Sequence, residues 1–333
     1  MTRVFALIAS LFLLLGVAVA CGGSGESSPD GDGGEGTDVG GAPAGLNLVI
    51  YRDTINSKLI AQSIPDGRRW EFATDPSEFV SAVDCSRDGQ RAASLVKNLQ
   101  TGSEVRFSGG QPAPVPVAGE AFGIAWAPDA SRIAVTAYTP AASENRLDLL
   151  DPGSGALTTA TTGSGPIGAP RWSPDGTKIA FDASNYTSNA LFVYILDQPA
   201  ATQLMDRPVP VFAPDWSPDG SSLLFGAPSG AASLSQIFTV GADGTNPREI
   251  TSSDVSKGVP RWSPDGSLVA FAGTILIPLA SRRPATLHNL AVYMMKPDGT
   301  GEQAITDVAQ DAWLLGWCVS GPWLNDGWKE VAQ

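Results

Sequence analysis

The sequence predicts an all-β fold, a six-bladed β-propeller built of four-stranded antiparallel blades. Three observations predict it: one undecapeptide recurs along the chain, its step is that of a propeller blade, and the two ends each hold part of a blade. The undecapeptide reads RWSPDGTKIAF at Arg171–Phe181 and RWSPDGSLVAF at Arg261–Phe271. Aligned on tryptophan, further copies are AWAPDASRIAV with Trp126 and DWSPDGSSLLF with Trp216. DCSRDGQRAAS puts Cys85 at the tryptophan place, and GWCVSGPWLND offers Trp317. The steps between these six positions are 41, 46, 44, 46 and 55 residues, and four short strands with their turns fill such a length.

Each copy reads as construction rather than chemistry. APRWS ends a first strand. Pro174 presets φ for a turn, Asp175 suits the next place, and Gly176 accepts the backbone that other residues resist. TKIAFDA returns as a nearly continuous apolar strand, as expected where neighbouring blades cover both faces. Third and fourth strands follow in QIFTV and REIT (within Gln236–Thr251) and in AVYMM and QAIT (within Ala291–Thr306). Trp126, Trp172, Trp216, Trp262 and Trp317 are expected to fill the gaps between adjacent blades. A metal ring of the PDG aspartates is disfavoured, because those turns belong to different blades.

The ends supply the closure. Leu46–Thr74 holds LNLVIYRD, KLIAQSIP and RRWEFAT, the second to fourth strands of a blade, with no first strand ahead of them. DAWLLGWCV at Asp311–Val319 is a first strand with no complete blade after it. Pairing the two closes the ring and removes the edges of an open sheet. The tail Gly321–Gln333 is expected to pack on the rim.

Ahead of the propeller, Met1-Thr2-Arg3 and the apolar run Val4–Ala20 end in AVAC, which resembles a bacterial lipoprotein signal with Cys21 as the lipidated residue. Gly22–Gly45 carries five acids and no base and lacks the apolar surface to fold. It reads as a tether with a reach of roughly 25–30 Å. Its GDGGEG matches a dinucleotide-loop pattern, but no strand precedes it and no helix follows. The expected division is a signal peptide over 1–20, a tether over 21–45 and a propeller over 46–333. Blade 1 takes about 46–74 with 311–319. Blades 2 to 6 take about 78–117, 121–161, 167–205, 210–251 and 257–306.

The W-S-P-D-G-x-x-[IVL]-[AL]-F pattern resembles the repeats of TolB-type propellers, and related repeats occur in prolyl-oligopeptidase-type enzymes and oligogalacturonate lyases. The resemblance covers roughly Leu46–Val319 and implies the fold, not the activity. TolB carries an α/β domain ahead of its propeller, which the short tether here does not supply.

Chemistry is sparse in the sequence. A formal charge of −13 argues against nucleic acid. His288 is the only histidine, and no G-x-S-x-G elbow accompanies it. These features point away from an enzyme, and neither a cofactor nor a metal is expected. Cys85 and Cys318 lack C-x-x-C spacing; in the closed ring they lie on neighbouring blades, where either a disulfide or two buried thiols would fit. The loops joining second to third strands, and one blade to the next, share one face, opposite the PDG turns. The longest, Ile275–Asn289, carries Arg282, Arg283 and His288, and the same face is expected to present Asp206, Arg207, Asp254, Lys257, Asp307 and Asp311.

The function expected is a non-catalytic scaffold of the bacterial cell envelope. It would be a monomer, lipid-anchored at the periplasm or cell surface, binding an envelope protein or peptide through the loop-rich face. The alternatives are a saccharide-active lyase or hydrolase and a solute sensor, both using the central funnel.

Overall fold

Short strands separated by Gly, Pro and Asp turns leave the chain one economical solution, a circle of small antiparallel sheets, and six sheets form. The computed structural model describes residues 45–75, 77–98, 102–108, 112–163, 167–184, 189–205, 210–230, 234–274, 290–306 and 312–331. Five sheets have four strands each in plain sequence order. Their innermost strands are Glu78–Cys85, Glu120–Trp126, Arg171–Trp172, Phe212–Trp216 and Ser256–Trp262. The sixth sheet, blade 1, takes Ala312–Val319 as its innermost strand, followed by Asn47–Asp53, Lys58–Ile64 and Arg69–Ala73. Innermost strands touch their neighbours all the way round, including Ser256–Trp262 against Ala312–Val319.

Closure rests on the antiparallel pairing of Asn47–Asp53 with Ala312–Val319, in register from Asn47 with Val319 to Asp53 with Ala312, broken by one irregularity after Ile50. The tail does more than pack on the rim. Lys329–Val331 pairs with Arg69–Glu71 as a fifth strand at the outer edge of blade 1. Arg68 grips both carboxylate oxygens of Glu330 at 2.8 and 2.9 Å. Between the two strands, a 3-10 turn over Pro322–Asn325 buries Trp323, whose indole donates to the Val319 carbonyl.

Blades are apolar on both faces, and each face feeds a different interface. Leu223, Leu224 and Phe225 are consecutive and all buried. Leu223 and Phe225 pack toward blade 4, and Leu224 packs toward blade 6. The repeat tryptophans all point back to the preceding blade. Trp126 meets Leu95 and Phe107 of blade 2, Trp216 meets Leu191 and Val193 of blade 4, and Trp317 meets Ala270 and Val292 of blade 6. Trp172 also donates its indole N–H to the Ala125 carbonyl of blade 3 at 3.0 Å.

The S-P-D-G turn is a closed hydrogen-bond unit. Ser173 Oγ donates to Asp175 Oδ1 at 2.5 Å and accepts the Lys178 amide at 3.0 Å, while the Thr177 amide also donates to Asp175. Gly176 sits at φ 70°, where a side chain would be strained. Ser217 with Asp219 and Ser263 with Asp265 repeat the unit. These aspartates are held below the usual carboxylate range, chiefly by the serine hydroxyl. They bind their own turns, which is their structural role.

Alternation on the innermost strand explains the cysteines. The tryptophan place faces backward and the next place faces forward. Cys85 occupies the first in blade 2 and Cys318 the second in blade 1, so they meet and form a disulfide with a Cα–Cα distance of 5.5 Å. The bond spans a sequence separation of 233, so it restricts the unfolded chain over most of its length. Replacing both cysteines by serine should cost roughly 2–4 kcal/mol. Urea unfolding would measure this, and reductant should bring the wild type down to the level of the variant while leaving the variant unmoved.

Candidate functional site

The residue just before each tryptophan place is the least expected feature of the repeat. Around the ring these positions hold Asp84, Ala125, Arg171, Asp215, Arg261 and Gly316. Because the tryptophan turns backward, the residue before it turns forward along the innermost strand. Asp84 Oδ2 accepts the Trp126 amide of the next blade at 2.7 Å, and Asp215 Oδ2 accepts the Trp262 amide at 2.7 Å. Asp182, on the second strand of blade 4, accepts the Ala213 amide of blade 5 at 3.0 Å. The arginines mirror one another: Arg171 Nη1 donates to the Pro170 and Ile124 carbonyls, and Arg261 Nη1 to those of Pro260 and Ala213.

These groups face one another across the axis. Arg261 of blade 6 feels Arg171, Asp215, Asp84 and Asp182, which lie on blades 4, 5, 2 and 4. Arg171 Nε stands 3.4 Å from Asp215 Oδ1, with side chains 12% and 14% exposed, so water reaches this wall. Burial raises Asp84 and Asp215 above the usual carboxylate range, opposed by the arginines. Burial pushes Asp182 up to about 6, opposed by the Ala213 amide and more weakly by Arg261. Arg261 is lowered, first by burial and then by Arg171. Its Nε is buried without a hydrogen-bond partner.

Three residues nearer the loop-rich end, the same repeat place alternates in size: Trp313, Ser81, Phe122, Gly168, Phe212 and Gly258 in blades 1 to 6. The three aromatic side chains are partly buried. Phe212 rests against Gly226 of its own blade and close to Gly258 of the next, where side chains would collide with or crowd its ring. Alternate blades thus carry an aromatic side chain and a small residue just above the charges.

Among the described residues the loop-rich face offers two exposed apolar side chains, Ile55 at 64% and Phe79 at 49% exposure. Ile55 stands on a stapled turn. Asp53 Oδ1 accepts the Ile55 and Asn56 amides, and its Oδ2 accepts the Asn56 side chain at 2.7 Å. Arg52 stacks over the Phe79 ring at 4.1 Å. On the opposite face a cleft of about 100 Å³ lies between blades 3 and 4, lined by Asp129, Arg132 and Trp172 among others. It is too small for more than a fragment of a ligand.

Of the residues expected on the binding face, Asp254 is exposed in the connection from blade 5 to blade 6. Lys257 is a correction. Its side chain is fully buried, with Nζ 2.8 Å from both oxygens of Glu302 and 5.1 Å from the centre of the Phe271 ring. The reason is compensation: the stem runs along the Phe271 ring of the adjacent strand, and the Glu302 carboxylate meets the buried ammonium. Asp206, Arg207, Arg282, Arg283, His288, Asp307, Asp311 and Cys21 lie outside the described residues. The axial charges were the signal passed over, legible as D-C, R-W, D-W and R-W in four of the six copies. Among the described residues no cluster of three or more ligating side chains could hold a metal ion, and no helix is long and apolar enough to cross a membrane.

A family model described as the TolB beta propeller domain matches residues 121–311, more than half of the chain. No curated protein matches the sequence. Among solved structures, a TolB-type protein from Agrobacterium tumefaciens is 19% identical with a TM-score of 0.59, over 84% of this chain and 100% of its own. TolB from Acinetobacter baumannii is 14% identical with a TM-score of 0.59, over 82% of this chain and 66% of that one. An oligogalacturonate lyase from Vibrio parahaemolyticus is 13% identical with a TM-score of 0.52, over 78% and 79%. At such identities the likeness is one of fold.

Asp182 gives the site a pH signature. Its value rises from 3.8 in the free side chain to about 6 in the folded protein. Between these values the folded protein keeps a proton that the unfolded chain has released. The group's contribution to stability therefore falls as pH rises from about 4 to about 6 and is level above. Asp182→Asn should remove that slope. Relative to wild type, the variant should gain on the order of 1–3 kcal/mol between pH 4 and pH 7, measured by urea unfolding at each pH.

Proposed function

Because the chain belongs to the TolB β-propeller domain family, we propose that it is a non-catalytic binding scaffold of the bacterial envelope. It engages a protein or peptide partner through the loop-rich face and the axial mouth beneath it. The lipid anchor read at Cys21 and the acidic tether behind it would hold the propeller away from a membrane surface. One observation carries the reading: solvent-facing apolar side chains on stiff supports stand beside a mouth that combines aromatic rings with a charged wall. A rigid apolar knob loses little conformational entropy on docking, and a polar interior below it supplies orientation.

The division of labour at the axis favours binding over turnover. Asp84, Asp182 and Asp215 each hold the amide of the following blade, so moving any of them loosens an interface. A catalytic carboxylate must exchange a proton with substrate; these are committed to the scaffold. Family membership supports a binding propeller at this level, and the partner is identified by experiment.

Ile55→Ser combined with Phe79→Ala should leave stability nearly unchanged, within about 0.5 kcal/mol for exposed positions. The same variant should lose at least about tenfold in partner affinity, or roughly 1.4 kcal/mol. Crosslinking capture from native envelope, quantified for wild type and variant, checks this. A partner held equally by both would discard this face, and a wild type that captures no envelope protein would discard the scaffold reading.

A further inference from the structure

The axial ring is electrically incomplete. Among the described residues it gathers three carboxylates, Asp84, Asp182 and Asp215, against two guanidiniums, Arg171 and Arg261. Among the described residues no further cation balances the surplus: Lys257 is spent on Glu302. Arg171 and Arg261 act on Asp84 and Asp182 through charge, without a hydrogen bond between the side chains.

A second, separate observation points to a ligand. Arg261 is only 5% exposed, and its Nε has no acceptor. A buried donor left unpaired costs about 1–3 kcal/mol, and a ligand oxygen placed there would recover part of it. A ligand carboxylate would do so only by adding charge to a ring already negative, in a chain of formal charge −13. A neutral carbonyl meets the donor without that penalty. Asp182 and Arg261 are also neighbours through one residue: the Ala213 amide donates to Asp182, and its carbonyl accepts from Arg261 Nη1. The unpaired donor and the surplus carboxylate are thus about one residue's reach apart.

We propose that the axial ring is a seat for a cationic side chain of a partner peptide, with the peptide's own neutral carbonyl turned to Arg261. The occupant is a lysine or arginine residue. Its charge completes the ring, its stem lies among Trp313, Phe122 and Phe212, and its amide carbonyl takes the Nε hydrogen. The loop-rich face already uses cation–aromatic pairing, in Arg52 over Phe79 and Lys97 near Phe122. This assignment rests on the scaffold reading and narrows it to partners that insert a basic residue.

Three capped peptides test it on the full protein: acetyl-Ala-Lys-Ala-amide, its Gln counterpart and its Glu counterpart. Titration calorimetry should find the Lys peptide bound, the Gln peptide at least tenfold weaker and the Glu peptide weakest. Asp182→Asn, checked by circular dichroism for an unchanged fold, should reduce Lys-peptide affinity at least tenfold, and raised salt should weaken it in the wild type. Equal binding of Lys and Gln peptides, tightest binding of Glu, no Lys-peptide binding, or an Asp182→Asn variant that binds like wild type would each overturn the seat. Envelope capture separates the two readings. A partner retained equally by wild type and Asp182→Asn removes the cation seat and leaves the scaffold standing, whereas no capture by wild type removes the scaffold itself.

Discussion

One strand pairing carries the architecture: Asn47–Asp53 against Ala312–Val319. Five blades are local objects, each complete within one stretch of chain. Blade 1 is not, since its innermost strand arrives from the far end of the sequence. Without that strand, Cys85 and the back of blade 2 would face water, and Trp317 would leave its place against blade 6. The axis exists only while the circle is shut, so the charged ring depends on a contact made far from any of its members in sequence. Long-range closure of this kind is costly in chain entropy. The disulfide and the tail strand both reinforce the same blade.

The repeat serves two purposes with adjacent residues. Tryptophan faces backward and fills the interface behind it, while the residue before it faces forward and toward the axis. A six-fold alternation can therefore vary at the axis without disturbing the packing. Asp, Ala, Arg, Asp, Arg and Gly occupy the axial place in blades 2 to 6 and 1, next to five tryptophans and one cysteine. Fold and specificity are written in neighbouring letters, which is how a common scaffold can carry many recognition surfaces.

Much of the fold was legible because repetition converts a weak local pattern into a strong global one. S-P-D-G marks its turn through Ser and Asp hydrogen bonds that depend on adjacent residues alone. The Cys85–Cys318 bond stayed open in the sequence because the sense in which strands face their neighbours is a three-dimensional quantity. Lys257 was misplaced for a related reason. Its burial follows from Glu302 and the Phe271 ring on neighbouring strands, and a charged residue near a loop gives no hint of that. The fifth strand at Lys329–Val331 is three residues long, too short for any periodicity. The axial charges were present in every alignment of the repeat, yet only the ring brings them together.

The covalent clasp between blades 1 and 2 has a mechanical meaning. Force applied to the two ends of the chain enters through residues on either side of Cys85 and Cys318, and the sulfur bridge joins those two points directly. Tension would run across the bond and leave the chain between the two cysteines, a sequence separation of 233, slack. Under load the strands outside the bridge, Asn47–Asp53, Lys58–Ile64 and Arg69–Ala73 with the tail strand Lys329–Val331, would bear the force, while the stretch of chain between the two cysteines would stay unloaded.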